Sequence, residues 1–317
     1  MDINEALDFL KKCDNVNILT HKNPDGDTLG CGFALVNFLR SLGKKANVLN
    51  HGEFPKRYDF LYEGYSPMTF EEECVIAVDI ADVKLLGDNL AEYKQKSKID
   101  LCIDHHVSNT FYANHTLLVT TAAAASEVMF QLLKAGGAEL SPIIAKCLYT
   151  GIATDTGCFK YENTTPETHE AAAELMRCGV EYAKINRAMF DVKSKGRLLV
   201  EQAAAQSMEY FFDDRCSMIV ITTALIASSG ISPADFDGLT AITLQAEGVQ
   251  VGLLVKERFE NCYKVSVRTT DEIDASAICS AFGGGGHVRA AGCEINGSLS
   301  EVKDKLLTAC KAALGDA

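Results

Sequence analysis

Four apolar runs in the first half of the chain each lead into an acid or an imidazole, and this repetition constrains the fold more than any other feature. Asn15 to Thr20 enters His21-Lys22-Asn23-Pro24-Asp25-Gly26-Asp27, and Val75-Ile76-Ala77-Val78 stops at Asp79. Ile99 to Ile103 stops at Asp104-His105-His106, and Gly151-Ile152-Ala153-Thr154 stops at Asp155. The first three runs have the length of buried strands, and the fourth closes a helical pattern. Strands alternating with helices predict a mostly parallel sheet covered on both faces. Ligands of such sheets lie at the carboxyl ends of the strands, where His21, Asp79 and Asp104 fall.

The 317 residues exceed one ordinary compact core and fit two domains. Apolar spacing predicts helices over 2–12 and 28–42 and strands over 15–20, 46–50, 74–79, 99–104 and 116–120. From Ala122 the signal is helical, with segments near 122–135, 141–154, 166–177, 181–190 and 193–212. Strands return over 217–222, 249–256 and 262–269, the last two forming a hairpin around Arg258-Phe259-Glu260-Asn261. Helices over 273–281 and 299–313 complete the chain. The expectation is an α/β protein: a parallel-sheet domain over 1–192, a helical connector over 193–215, and a smaller α/β domain over 216–317.

Composition narrows the function. The hydrophobic fraction of 47% and charged fraction of 23% are those of a soluble globular enzyme. A net charge of -13 opposes an extended nucleic-acid track, which needs a basic stripe. No apolar run approaches the roughly 20 residues that span a bilayer. Met1-Asp2-Ile3-Asn4-Glu5 lacks the start of a signal peptide, so a cytoplasmic location is expected. The twelve cysteines include no CxxC pair, and a reducing cytosol would keep them as thiols.

Carboxylate oxygen together with neutral imidazole nitrogen makes a metal site. Asp25 and Asp27 lie two residues apart on a tight turn and can address neighbouring cations, although an Asx turn capping the next helix explains them equally well alone. An isolated Asp79 would ordinarily be solvated or a cap, and Asp82 competes with it. The Asp104-His105-His106 triplet is harder to dismiss, because two adjacent histidines point in different directions from an extended backbone. Asp155 at a helix C-terminus opposes the helix dipole, an objection a cation removes. Far along the chain, Gly283-Gly284-Gly285-Gly286-His287 suggests backbone N–H groups approaching an anion, with Arg268 supplying a fork for phosphate.

Together these segments resemble the four motifs of the DHH phosphoesterase superfamily, and the glycine-histidine segment resembles its DHH-associated C-terminal domain. The resemblance spans essentially the whole chain and is closest to the nanoRNase and 3′-phosphoadenosine 5′-phosphate phosphatase branch. It implies two divalent cations, manganese above all, with magnesium or cobalt as alternatives. His21, Asp25 and Asp79 would hold one, and Asp27, Asp79, His105 and Asp155 the other. Asp104 would orient the histidines, and His106 would face the scissile phosphate. Arg268, Gly284, Gly285, Gly286 and His287 would hold the substrate. Expected substrates are short RNA oligonucleotides or nucleotide bisphosphates, with no long nucleic-acid track and no membrane; a homodimer is compatible. Rival readings are a phosphatase specialised for linear dinucleotides or mononucleotides, and a nucleotide-binding regulator without turnover.

Overall fold

The computed structural model describes residues 1–95, 97–236, 238–270 and 273–315, and the chain divides into two compact units, Met1–Val192 and Lys193–Ala317. In the first unit, helix α1 (Ile3–Lys12) precedes strand β1 (Val16–Leu19), helix α2 (Gly26–Ser41) and strand β2 (Ala46–Leu49). Strands β3 (Cys74–Val78), β4 (Leu101–Asp104) and β5 (His115–Leu118) follow. Helices α3 (Ala125–Ala135), α4 (Pro142–Asp155), α5 (Pro166–Arg177) and α6 (Tyr182–Asn186) complete it, the last running into a π turn at Arg187–Asp191.

The five strands lie in the order β2-β1-β3-β4-β5, and every pairing is parallel. Alternate residues sort to opposite faces, as the two-residue period of a strand requires. Val16, Ile18, Ile76 and Val78 pack under α1 to α4, where Phe33, Leu35 and Leu148 are also fully buried. Leu19, Val75 and Ala77 face the other way, onto Ile80, Leu86, Leu90 and Tyr93. That second cover is thin. Between β2 and β4, outside β3, the chain makes only short 3-10 segments, at Lys56–Leu61, Val83–Leu85 and Asp88–Lys94.

The second unit opens with helix α7 (Lys195–Gln206), strands β6 (Glu209–Phe211) and β7 (Cys216–Ile221), and helix α8 (Thr223–Ser229). Strands β8 (Val251–Phe259) and β9 (Cys262–Thr269), helix α9 (Ala275–Ser280), strands β10 (Gly285–His287) and β11 (Ala290–Asn296), and helix α10 (Leu299–Ala313) follow. The sheet order is β10-β11-β9-β8-β7-β6, antiparallel except for β7 with β8. The helical connector expected over 193–215 needs correction: α7 stops at Gln206, and β6 pairs with β7 from Glu209. The sheet edge offers Glu209–Phe211 a ladder, and a propensity reading has no access to that partner. The hairpin turn is also tighter than expected, with strand as far as Phe259 and Asn261 in the left-handed region (φ 58°). Among the described residues, no helix is long and apolar enough to cross a membrane.

Candidate metal centre

The strand order reverses between β1 and β3, which leaves a crevice beyond their carboxyl ends. His21 follows β1, Asp79 follows β3, and Asp104 closes β4. Asp25 is the N-cap of α2, its Oδ1 accepting from the amides of Asp27 (3.0 Å) and Thr28 (3.1 Å). The same oxygen lies 3.6 Å from His21 Nε2, so a helix cap and a place in the crevice coexist in one carboxylate. Asp27 faces the start of α3, accepting from the amides of Ala125 (2.6 Å) and Ser126 (2.8 Å). Unpaired N–H groups at a helix start favour an anion there. Asp155 is the last residue of α4. That helix reaches the crevice because Gly151 has no side chain: a Cβ there would sit 2.0 Å from Ser126 Oγ and 2.7 Å from Asp27 Oδ1.

Asp79 turns the chain at the end of β3 with φ at 58°, a backbone an L-residue adopts at a penalty of roughly 1–2 kcal/mol. Its amide is held by Ile103 O at 2.9 Å, and Thr28 Oγ donates to the preceding carbonyl, Val78 O, at 3.1 Å. The result is a carboxylate, only 4% exposed, aimed at three imidazoles. Its oxygens lie 3.6 Å from His21 Nε2, 3.7 Å from His105 Nε2 and 3.5 Å from His106 Nδ1. Strain of this kind collects at functional sites. Asp82 is disposed of differently: it caps the short helix at Val83–Leu85 by accepting from Lys84 N at 2.9 Å.

The two histidines are held in different ways. His105 Nδ1 lies 3.2 Å from the Ala122 carbonyl, a contact that assigns the proton to Nδ1 and leaves a lone pair on Nε2. Nε2 lies 3.5 Å from Asp155 Oδ2. His106 Nδ1 is 2.8 Å from Asp104 Oδ1. Asp104 is fully buried; it also accepts from the His105 amide at 2.8 Å and, through Oδ2, from Asn109 Nδ2 at 2.6 Å. The Asn109 Oδ1 accepts from Phe111 N at 2.8 Å, so this amide is fixed at both ends. Nothing in the sequence singled out Asn109: an asparagine in an irregular segment carries no period and no motif of its own.

Crowding five acids around three imidazoles shifts their protonation. Burial pushes the Asp79 and Asp27 carboxyls up, and neighbouring acids add to the effect at Asp79. Asp155 is pushed up to about 8 by burial and then by Asp27 and Asp25. Burial opposes the charge on His21, but the carboxylates of Asp25 and Asp79 outweigh it and carry the imidazole up to about 10. The Asp104 hydrogen bond raises His106 to about 9, against the effect of its burial. Asp104 itself stays below the usual range: burial works against the carboxylate, and His106 and Asn109 hold it ionised.

These donors fit divalent cations. Among the described residues, donor atoms within 4.8 Å of one another form three sets: His21 with Asp25 and Asp79, Asp27 with His105 and Asp155, and Asp79 with His105 and His106. Separations of 3.5–3.7 Å exceed a hydrogen bond. They match the edge of a coordination shell whose bonds are about 2.0–2.2 Å. Asp79 Oδ1 and His105 Nε2 are buried without any hydrogen-bond partner. Buried polar atoms rarely stay unpaired, and a cation satisfies both at once.

The remaining sequence candidates lie in the second unit. Arg268 in β9, Ala290 in β11 and His287 in β10 share one rung of the sheet. The expected glycine loop is in fact an edge strand, Gly285–His287, paired with β11. Close packing explains two of its glycines: a Cβ would lie 2.3 Å from Gly292 O at Gly284 and 2.5 Å from Ala290 O at Gly286. Gly285 has nothing within 4 Å of the position a Cβ would take, so packing leaves it unexplained.

Known proteins share this fold and order of domains. The DHH family, N-terminal domain, matches residues 15–152, and the DHHA1 domain matches residues 218–316. The bifunctional oligoribonuclease and PAP phosphatase NrnA of Thermus thermophilus is 30% identical over 94% of this chain and 90% of its own. Its namesake in Bacillus subtilis is 24% identical over 92% of each chain. An exopolyphosphatase-related protein from Bacteroides fragilis has the same fold, with a TM-score of 0.86 at 24% identity over 98% of this chain and 95% of its own. On these matches, which cover both units in the order found here, the chain belongs to the DHH phosphoesterase family and carries the DHHA1 domain.

Proposed function

We propose that this phosphoesterase uses two divalent cations, best manganese, to hydrolyse short oligoribonucleotides to mononucleotides and 3′-phosphoadenosine 5′-phosphate to AMP. The observation that carries the metal assignment is the pair of buried, unpartnered atoms Asp79 Oδ1 and His105 Nε2, 3.7 Å apart. The names of the Thermus and Bacillus relatives, oligoribonuclease and PAP phosphatase, support the substrate class. His21, Asp25 and Asp79 would hold one cation, and Asp27, Asp79, His105 and Asp155 the other, with Asp79 common to both. Mixed imidazole and carboxylate donors suit manganese better than magnesium, which prefers oxygen and water; cobalt is a further alternative.

When bound, the cations supply a water of lowered pKa and positive charge for the phosphoryl oxygens. The chain's own residues do the rest. Asp104 holds the His106 Nδ1 proton, leaving Nε2 as the free nitrogen of the ring. From Nε2, His106 donates to a phosphoryl oxygen and can protonate the departing oxygen. Asp27, anchored by two amides of α3, cannot swing away as charge develops. In the second unit, Arg268 and His287 would take the substrate's other phosphate, with Gly284, Gly285 and Gly286 presenting backbone to it.

The test is protein stripped with a chelator, then resupplied with manganese, magnesium or cobalt. Substrates are RNA of two, five and 20 nucleotides and 3′-phosphoadenosine 5′-phosphate. The expected result is restoration, best by manganese, with the two- and five-nucleotide RNAs cleaved faster than the 20-mer. With a net charge of -13, a longer RNA adds phosphates that meet an acidic surface. Full activity after stripping, or preference for the 20-mer, overturns the proposal.

A further inference from the structure

Three of the proposed ligands of one cation, Asp27, His105 and Asp155, come from elements far apart in sequence, yet all are tied to residues 122–126. Asp27 accepts from the amides of Ala125 and Ser126. The peptide between Ala122 and Ala123 offers its carbonyl to His105 Nδ1 at 3.2 Å and its N–H to Glu127 Oε2 at 3.1 Å. Glu127 is buried, and the same oxygen accepts from Thr168 Oγ1 of α5 at 2.8 Å. Asp155 joins this stretch through Asn163, whose Nδ2 donates to Ala123 O at 3.0 Å and to Asp155 O at 3.2 Å. Both acceptors are carbonyls, so the amide nitrogen must be the end that faces them.

The chain takes a costly path to put Asn163 there. Gly157, Cys158 and Phe159 follow Asp155 with φ of 55°, 60° and 62°, and the last two pay for a left-handed backbone. A Cβ at Gly157 would lie 2.3 Å from the Tyr161 ring, so the turn closes only around glycine. Thr156 O then accepts from the amides of Lys160 and Tyr161, and Tyr161 O from Thr164 N at 3.0 Å, which returns the chain to the end of α4. Capping alone accounts for half of the result. Ile152 O, Ala153 O and Thr154 O accept from Thr156 N, Cys158 N and Gly157 N, leaving Asp155 O to Asn163. The bond to Ala123 O serves a different element, outside α4. Water in the place of Asn163 would satisfy either carbonyl without joining the two.

We infer that Asn163 is a positioning residue for the cation held by Asp27, His105 and Asp155, fixing the end of α4 against the stretch that orients the other two. This rests on the proposed cation ligands. Without the amide, Asp155 is free to shift from His105, and the separation of 3.5 Å between Asp155 Oδ2 and His105 Nε2 is no longer enforced. Affinity for that cation falls, while the chemistry of the loaded centre stays intact.

The test compares the full-length protein with Asn163→Ala and with Ser141→Ala, which removes the N-cap at the far end of the same helix. Manganese binding to chelator-stripped protein is read by calorimetry and by electron paramagnetic resonance of the free ion. The manganese dependence of diadenylate cleavage is measured alongside. Asn163→Ala should weaken one manganese about tenfold and leave the other within about threefold. The manganese concentration for half activity should rise by about tenfold, with kcat at saturating manganese within about threefold of wild type. Ser141→Ala should lower the Tm of the stripped protein and leave both affinities within about threefold. Unchanged affinities, equal weakening of both cations, a fallen kcat at saturating manganese, or the same weakening in Ser141→Ala overturns the inference. If wild type binds two cations with the expected Asn163 dependence but cleaves neither RNA nor 3′-phosphoadenosine 5′-phosphate, the inference stands and the substrate reading fails. A wild type that binds no manganese ends both.

Discussion

Asp79 Oδ1 and His105 Nε2 face each other at 3.7 Å, both buried and neither hydrogen-bonded to anything. Separated by 26 positions in sequence, they meet because β3 and β4 are parallel neighbours that end at the same level. Asp79→Asn should cut kcat/KM by at least about 100-fold, beyond what loss of an outer-shell partner does. Asp82→Ala should leave kcat/KM within a factor of about three and reduce stability by about 1 kcal/mol, the worth of a cap. Steady-state kinetics and calorimetric metal titration on both variants check this. Similar activity losses would mean that the acids are misassigned.

Asp79 also holds a left-handed backbone. Asp79→Gly should relieve that strain and remove a buried acid, stabilising the chelated protein by about 1 kcal/mol, or roughly 2–4 °C in Tm, while abolishing metal binding. A lower Tm than wild type in chelator would count against strain at this turn.

The chelated protein should lose stability as pH rises. Asp155 has a folded pKa of about 8 against 3.8 for the free group, so between those values the folded state holds the extra proton. His21, raised from 6.5 to about 10, contributes stability that is full below 6.5 and disappears as pH climbs through 10. Both give a negative slope of stability with pH over the window from about 6 to 9. Deprotonated ligands bind metal better, so the Tm increment from manganese should grow across the same range. Differential scanning fluorimetry with chelator or metal at pH 6, 7, 8 and 9 measures both trends; a constant increment would remove these groups from the centre.

Asn109 acts on His106 through Asp104. Asn109→Ala frees Asp104 Oδ2 and leaves a buried carboxylate oxygen unsatisfied, a loss of about 1–3 kcal/mol. Activity should fall about 10–100-fold with metal content unchanged, because Asn109 touches none of the proposed ligands directly. Activity assays beside metal analysis of the purified variant distinguish this from general loss of the site.

The glycines at and just before β10 should separate by role. Gly284→Ala and Gly286→Ala place a methyl within 2.5 Å of backbone or side chain and should destabilise the second unit. Gly285→Ala meets open space; it should melt like wild type yet raise KM if backbone approach to the substrate matters there. Arg268→Ala should likewise raise KM while leaving metal content intact. Melting curves and kinetics on the four variants decide the point; normal kinetics in both Gly285→Ala and Arg268→Ala would remove this strand from substrate binding.

Much of the site was legible because strand ends and helix ends are local events. The apolar run from Ile99 to Ile103 forces a buried strand, so whatever follows it must emerge at the sheet's carboxyl edge, and Asp104-His105-His106 does. The two readings offered for Asp25, helix cap and metal-directed acid, were not alternatives, since one oxygen serves both contacts. Strand β6 and the edge strand at Gly285–His287 were missed for a common reason. Each is short and lacks an alternating apolar pattern, and each exists because a neighbouring strand supplies its hydrogen bonds.

The amino-acid sequence by itself determined the parallel strands, their order of appearance and the chemistry of the groups at their ends, because side-chain periodicity and charge are properties of short segments. Only the tertiary structure decided which of those groups meet. Asp27 and Asp155 lie near His105 because α4 can approach at Gly151, where any larger residue would collide with Ser126 and Asp27. Asn109 reaches Asp104, and Asn163 reaches Ala123, through turns set by long-range pairing. Contacts of that kind depend on how distant segments are packed together, and local sequence pattern does not encode the distance between them.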